Sequence, residues 1–398
     1  MKLSSALGQY ITVTLSYWAF TLTDGALRML VLLFFHNLGY SPLEIASLFL
    51  LYEFFGIVTN LYGGWLASRY GLTLTMQLGL GLQIVALALL LADTSLLTVI
   101  YVMAAQAISG IAKDLNKMSA KSSIKLLMPE SEQGRLYRWV AVLTGSKNAL
   151  KGLGFFLGGA LLASIGFRSS ILAMMGLLVL TLLASLLLLD NQPGVNKRPF
   201  SQSLSTSSVI NRLAAARLFL FSSRDVWFVV ALPVFLQSQL GWSHVQVGSL
   251  MASWIIAYGA VQALAPKITG QKDEHQPDGS TLFRWAGLLS AMPCAIALGL
   301  YWGFDANLLL IVGLLIFGAT FAINSSVHSY LIVAFARRDA VSLDVGFYYM
   351  ANAGGRLLGT VLSGLLYQQY GLISCLLAST LMIALSALIA RGLEQQST

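Results

Sequence analysis

Eleven ionisable side chains interrupt stretches of sequence that are otherwise apolar. They are Asp24, Arg28, Glu53, Lys113, Asp114, Lys117, Lys147, Lys151, Arg224, Asp225 and Arg356. An ionised side chain in the interior of a membrane costs about 3 kcal/mol or more, so residues placed there are candidates for function. Seven of them are basic and four acidic, a surplus of 7 − 4 = +3 if all are ionised. A low-dielectric pocket with this surplus would hold a multiply charged anion.

The spacing of these residues places them on shared helix faces, because positions four apart lie one above the other on a helix. Four such polar stripes occur, formed by Asp24 with Arg28, Lys113 with Lys117, Lys147 with Lys151, and Tyr348 with Asn352 and Arg356. Polar stripes of this kind are predicted to face the interior of a helical bundle and not the lipid.

Arginine binds phosphate or arsenate oxygens in a bidentate manner, and lysine acts on them as a point charge. The predicted substrate-binding residues are Arg28, Lys113, Lys117, Lys147, Lys151, Arg224, Tyr348, Asn352 and Arg356. An alternative is internal pairing, of Arg28 with Asp24 and of Lys117 with Asp114. Lys147 and Lys151 have no acidic residue nearby in the sequence, which favours a substrate contact for them.

A buried carboxyl group can carry a proton across the membrane, since desolvation favours its neutral form. The candidates for proton coupling are Asp24, Glu53, Asp114 and Asp225. Glu53 is the foremost of them because no basic residue lies within four positions of it. A protonated glutamate with a structural role is the alternative.

The elements that position these residues are predicted to be membrane-spanning helices. The composition is 57% hydrophobic and 10% charged with a mean hydropathy of +0.75, and a span needs about 20 apolar residues. Twelve spans are predicted, near 12–37, 42–67, 73–93, 96–120, 139–165, 170–189, 212–239, 244–267, 282–302, 307–335, 341–367 and 371–390. They form an all-α protein with an N-terminal six-helix bundle (1–190), a polar linker (191–211) and a C-terminal six-helix bundle (212–398).

The basic residues indicate topology and not nucleic-acid binding, although the net charge is +8. They lie between apolar segments, and with both termini in the cytoplasm the outer loops hold only Arg168, as the positive-inside rule requires. The expected location is the bacterial inner membrane.

The sequence contains no signal of a cofactor site or a catalytic site. Cys294 and Cys375 lie in apolar runs, no metal site or nucleotide-binding motif occurs, and Ser, His and Cys form no catalytic cluster. We therefore expect that the protein binds no cofactor and is not an enzyme.

The two halves of the sequence resemble each other. LGYSPLEIASL from Leu38 matches LGWSHVQVGSL from Leu240, and Asn148-Ala149 matches Asn352-Ala353. Three glycines follow each Asn-Ala pair in matching order: Gly154, Gly159 and Gly166, and Gly359, Gly364 and Gly371. Repeats of this length in a membrane protein predict two related bundles with a substrate site between them.

The loop after the second span, GGWLASRYG, resembles the gating loop of the major facilitator superfamily through Gly64, Arg69 and Gly71. Ser68 replaces the acidic residue that is usual there, and the usual basic pair is absent. The resemblance implies the fold of that superfamily, in which spans one, four, seven and ten line the cavity. It also implies a secondary transporter that acts as a monomer in the lipid bilayer.

Five segments narrow the resemblance to the organoarsenical efflux permease family (ArsJ). They are SYWAFTLTDGALRML from Ser16, LYEFFGIVTNLYGGW from Leu51, SGIAKDLNKMSAKSSIK from Ser109, WVAVLTGSKNALKGLGFFLGG from Trp139 and RDVWFVVALPVFL from Arg224. This resemblance implies export of 1-arseno-3-phosphoglycerate, which glyceraldehyde-3-phosphate dehydrogenase forms when it uses arsenate in place of phosphate. Proton antiport is the hypothesis for the driving force. The alternatives are an exchanger for phosphate or an organic phosphate and, in another class, a non-transporting sensor.

Overall fold

The computed structural model describes residues 6–40, 48–127, 133–190, 194, 207–242, 244–269, 277–338, 340–391 and 393. This part of the chain is helical and contains no strand. The helices are α1 (Ala6–Asn37), α2 (Leu50–Tyr70), α3 (Leu72–Leu89), α4 (Val99–Leu127), α5 (Gln133–Leu188), α6 (Ser208–Phe228), α7 (Ala231–Ser238), α8 (His244–Thr269), α9 (Gly279–Tyr301), α10 (Ala306–Phe335) and α11 (Val341–Arg391). A short 3₁₀ turn, Thr94–Leu96, precedes α4.

The helices account for the twelve predicted crossings. Eight stretches of the described chain are long and apolar enough to span a membrane, and α6 with α7 makes one of them. The two longest, α5 with 56 residues and α11 with 51, have length for two crossings each. The more polar α2 and α4 are not among the eight, and with 21 and 29 residues they have the length for the remaining two crossings. The beginning of the second predicted span and most of the 191–211 linker lie outside the described residues.

Glycine and proline mark the breaks inside the long helices. α5 turns at Gly166 (φ 77°) and α11 at Gly371 (φ 75°), which are matching positions of the two sequence halves. Residues with a Cβ rarely adopt this backbone conformation. The single span predicted at 212–239 divides into α6 and α7, because Pro233 lacks the N–H that would bond the carbonyl of Val229. The backbone N–H of Ala231 at this break donates to the Ser363 hydroxyl at 3.1 Å.

The described chain forms two compact units. The first comprises Met1–Ser131, Ser146–Ser205 and Ala336–Met350, and the second comprises Glu132–Gly145, Thr206–Phe335 and Ala351–Thr398. They differ from the predicted 1–190 and 212–398 bundles in two segments. The beginning of α5 belongs to the second unit, and the beginning of α11 belongs to the first.

Each unit has its own apolar core and its own close helix crossing. In the first unit, α1 meets α5 at Gly154, where a Cβ would lie 2.6 Å from the Leu22 carbonyl oxygen. In the second unit, α6 meets α11 at Gly355, where a Cβ would lie 2.2 Å from the Leu218 carbonyl oxygen. Small residues let the two backbones approach this closely. The crossings hold α1 and α6, which carry predicted site residues, against α5 and α11.

Candidate functional site

Asp24 and Tyr52 join α1 to α2 in the first unit. The Tyr52 hydroxyl lies 2.7 Å from Oδ1 and 2.9 Å from Oδ2 of Asp24, and both residues are buried. Within the described residues, no lysine or arginine pairs with Asp24. The alternative that Asp24 pairs with Arg28 is therefore not what the structure contains. Asp24 is a buried carboxyl group whose hydrogen-bond donor is neutral.

Glu53 is paired with bases from two other helices. Nη2 of Arg28 lies 3.3 Å from its Oε1, and Nζ of Lys113 lies 4.0 Å from its Oε2. The sequence predicted no local partner for Glu53, and these two partners come from α1 and α4. The Arg28 guanidinium also lies over the ring of Tyr52 at 5.3 Å. The Glu53 carboxylate is thus ion-paired with two basic side chains and is not an isolated acid.

Asp114 lies between two lysines of its own helix. Its Oδ1 accepts a hydrogen bond from Lys117, and its Oδ2 lies 3.7 Å from Nζ of Lys113. The carboxylate also packs against Gly56 of α2, where an added Cβ would lie 2.8 Å from Oδ2 of Asp114. The internal pairing of Lys117 with Asp114, which the sequence offered as an alternative, is present.

The charged cluster of the first unit is balanced. Its members are Asp24, Glu53 and Asp114 on the acidic side and Arg28, Lys113 and Lys117 on the basic side. Their formal charges sum to 3 − 3 = 0. Tyr349 of α11 borders the cluster: its ring lies under Nζ of Lys117 at 4.7 Å, and its hydroxyl accepts a hydrogen bond from Lys121. Tyr348, beside it, is buried.

Lys147 and Lys151 of α5 are partly exposed and lie within the first unit. Nζ of Lys151 is 5.7 Å from the centre of the Phe155 ring. The backbone of Lys151 packs on Gly25 of α1, where a Cβ would lie 2.8 Å from the Lys151 carbonyl oxygen. The close crossing of α1 and α5 therefore fixes the position of the Lys151 backbone, from which the side chain extends.

Two arginines share one aspartate in the second unit. Nε of Arg224 lies 2.6 Å from Oδ1 of Asp225, and Nε of Arg356 lies 3.3 Å from Oδ2. The Asp225 side chain is 1% exposed, whereas those of Arg224 and Arg356 are 16% and 34% exposed. Both of the predicted substrate-binding arginines in the second unit are thus bonded to a carboxylate.

Arg217 is a candidate site residue that sequence reasoning missed. It is buried and donates to Oδ1 of Asn352 at 2.9 Å and to Oγ of Ser325 at 3.0 Å. It lies close to the beginning of the span predicted at 212–239, where a basic residue is ordinarily at the membrane surface. Its position seven residues before Arg224, on the same helix face, was the available signal. With Arg224, Arg356 and Asp225, the named groups carry a formal charge of 3 − 1 = +2.

The predicted gating loop joins α2 to α3. Gly71 adopts φ 102° between the two helices, and Arg69 lies over the Trp65 ring at 5.5 Å. Ser68, where the resemblance to the gating loop leads one to expect an acidic residue, donates to the Trp65 carbonyl oxygen at 2.8 Å. Gly64 packs on α11, where a Cβ would lie 2.5 Å from the Ser342 carbonyl oxygen.

Comparisons with known proteins agree with this architecture. The family model described as Major Facilitator Superfamily matches residues 11–326. No curated protein sequence matches the chain.

Solved structures with the same fold include transporters of several kinds. The human organic anion transporter MFSD10 (TETRAN) is 16% identical, with 98% of this chain and 100% of that chain covered and a TM-score of 0.76. The fucose:proton symporter FucP of E. coli is 11% identical, with coverages of 98% and 99% and a TM-score of 0.76. A bacterial homologue of the iron transporter ferroportin, in an outward-facing state, is 14% identical, with coverages of 97% and 99% and a TM-score of 0.76. At these identities the likeness shows the fold alone.

Proposed function

The chain belongs to the major facilitator superfamily and is a transporter of the secondary kind, and we propose that it exports an anionic organoarsenical, 1-arseno-3-phosphoglycerate, in exchange for protons. The proposal places it in the bacterial inner membrane with both termini in the cytoplasm. It links the protein functionally to glyceraldehyde-3-phosphate dehydrogenase, whose reaction with arsenate would supply the substrate.

The observation that carries the proposal is the convergence of Arg224 and Arg356 on the Asp225 carboxylate. Two guanidinium groups that already meet at one carboxylate present N–H donors to the same small volume. A phosphate or arsenate group has more oxygens and more charge than a carboxylate, so it can replace Asp225 as their acceptor. The +2 surplus of the named groups in the second unit favours a dianion over a neutral substrate.

The balanced cluster of the first unit supports a separate role in proton coupling. Protonation of Glu53 would remove the negative charge that pairs with Arg28 and Lys113, whereas protonation of Asp24 breaks no ion pair, because its donor is the neutral Tyr52 hydroxyl. This favours Asp24 over Glu53 as the residue that carries the proton, contrary to the order that the sequence suggested.

The descriptions of two structural neighbours agree with separate parts of the proposal, the anionic substrate and the coupling to protons. One structural neighbour is described as an organic anion transporter, and another as a proton symporter. The resemblance of the charged segments to the organoarsenical efflux permeases narrows the anion to an arsenic-containing phosphate ester.

The test is arsenic uptake into everted membrane vesicles. Vesicles with and without the protein receive arsenate, glyceraldehyde-3-phosphate, the dehydrogenase and its nicotinamide cofactor, so that the unstable substrate forms in place. Accumulation should require both the protein and a proton gradient, and the single variants Lys147→Gln, Lys151→Gln and Arg356→Gln should each reduce it at equal membrane abundance. The proposal fails if arsenic enters vesicles with and without the protein at the same rate.

An exchanger for phosphate or an organic phosphate is the second candidate, because the same arginines bind a phosphate group equally well. Proteoliposomes loaded with phosphate or with 3-phosphoglycerate separate the two. Rapid counterflow of these ions, without arsenic uptake in the vesicle assay, would favour the exchanger. Arsenate resistance that depends on a companion dehydrogenase would favour arsenical export.

A further inference from the structure

One aromatic ring in the second unit carries two arginines. Arg217, Phe221 and Arg224 follow one another at i, i+4 and i+7 on α6 and therefore share a helix face. The ζ carbon of Arg217 lies 3.9 Å from the centre of the Phe221 ring, and that of Arg224 lies 4.8 Å from it. Two like charges thus converge on one side chain, although like charges repel each other.

The Phe221 ring offsets part of this repulsion. An aromatic ring has a negative face that attracts a cation, and the attraction grows when water is excluded. Phe221 is 7% exposed, so the contacts are largely desolvated. The ring is held in turn by Phe321 of α10, whose centre is 5.4 Å away and which also lies under Arg224 at 5.7 Å.

The contact with the ring also bears on the directions in which the guanidinium groups donate. A planar guanidinium that lies on a ring directs its N–H groups outward around its edge. In the structure Arg217 donates to Asn352 and Ser325, and Arg224 donates to Asp225. The ring thereby contacts two cations without using their N–H donors, which bond other polar groups of the protein.

We propose that Phe221 is a positioning residue for the bound anion: its ring orients Arg217 and Arg224 toward a phosphate or arsenate group. The inference rests on the proposed anion transport and adds to it a residue without charge or hydrogen-bonding groups. Its role is electrostatic, through the ring face, and not simply the filling of space.

The test separates ring electrostatics from ring volume. Phe221 is replaced by monofluoro- and trifluoro-phenylalanine through amber suppression, which weakens the negative face while the shape of the ring is nearly kept. Phe221→Leu removes the ring, and Phe221→Trp strengthens the cation contact. Phe317→Leu is the matched control, since Phe317 is fully buried in the same aromatic cluster, stacked on Phe321 at 5.6 Å, and no arginine contact to its ring is found in the described chain.

Two measurements are made on the full-length protein: KM and kcat for transport in proteoliposomes, and thermal stabilisation of the purified protein by phosphate and by 3-phosphoglycerate as probes. KM should rise stepwise with fluorination, with kcat changed less than twofold, and should rise about tenfold in Phe221→Leu, the order expected for the loss of desolvated cation–π contacts. Phe221→Trp should retain the wild-type KM. Phe317→Leu should lower the melting temperature without raising KM.

The outcomes distinguish the two proposals. An unchanged KM and unchanged stabilisation across the fluorinated series, or an equal rise in KM for Phe221→Leu and Phe317→Leu, would overturn the role of Phe221 and leave anion transport standing. A wild-type protein that neither binds nor transports either probe nor the arsenical would overturn anion transport and this inference together.

Discussion

Nε of Arg356 lies 3.3 Å from Oδ2 of Asp225, and this contact ties α11 to α6 in the second unit. The two residues are 131 positions apart in the chain. Arg224 bonds the other oxygen of the same carboxylate, so under the proposed function a substrate oxyanion would bind where the Asp225 carboxylate lies. The proposal therefore has Asp225 compete with the substrate for the donors of Arg224 and Arg356.

Asp225→Asn should tighten the binding of phosphate-bearing anions, by roughly tenfold, because Arg224 and Arg356 lose their competing negative charge. Turnover should slow as the bound anion is released less readily. The measurement is a binding titration of the purified protein with 3-phosphoglycerate, followed by transport in vesicles. Asp93→Asn is the control, since Asp93 is an exposed acid 3.8 Å from Arg168. Unchanged or weaker binding in Asp225→Asn would contradict the competition.

Asp24→Asn should abolish accumulation against a gradient and preserve exchange of substrate for substrate, because exchange requires no proton. Glu53→Gln should instead weaken binding or folding, since it removes the negative charge that pairs with Arg28. Both variants are compared in proton-driven uptake and in counterflow at equal protein abundance. Proton-driven accumulation that survives in Asp24→Asn and disappears in Glu53→Gln would reverse the assignment.

Gly154→Ala should destabilise the first unit by about 1–3 kcal/mol, because its Cβ would lie 2.6 Å from the Leu22 carbonyl oxygen and force α1 away from α5. Gly287→Ala in α9 is the matched control, since no atom lies within 4 Å of its added Cβ. It should leave stability equal or slightly higher, as alanine is the better helix former. Melting temperatures in detergent measure both. Equal behaviour of the two variants would show that the crossing can adapt.

Asp278→Ala should cost about 1 kcal/mol, because the Asp278 side chain caps α9 by accepting from the Thr281 backbone N–H at 2.9 Å. Burial raises the pKa of Asp278, but hydrogen bonds from Ser280 and Thr281 outweigh this, so its pKa in the folded state lies below the usual 3.8. A lowered folded pKa gives stability that is present at neutral pH and is lost as the pH falls through that range.

The stability difference between wild type and Asp278→Ala should therefore shrink on acidification and be largest near neutral pH. Asp278→Ser, which can still cap the helix, should retain most of the stability. Chemical unfolding at several pH values measures the difference. A difference that grows on acidification would show that the cap does not depend on the charge of Asp278.

The sequence by itself determined the twelve crossings, because the insertion of an apolar segment depends on the length and composition of that segment alone. It also identified the charges within the spans, and it identified Gly166 and Gly371 as equivalent positions. Both glycines proved to be the turns of α5 and α11. These are local properties, and local residues decide them.

Only the tertiary structure decided how the charges are paired. Spacing along one helix offered the pair of Lys117 with Asp114 as an alternative to a substrate contact of Lys117, and the structure contains this pair because both residues lie on α4. The same reasoning suggested Asp24 as the partner of Arg28, whereas Arg28 pairs with Glu53 on α2. It also gave no indication that Arg217 would bond Asn352, 135 positions away. A pair between two helices depends on which faces meet and at what height, and close crossings such as that at Gly355 fix both only when the chain has folded.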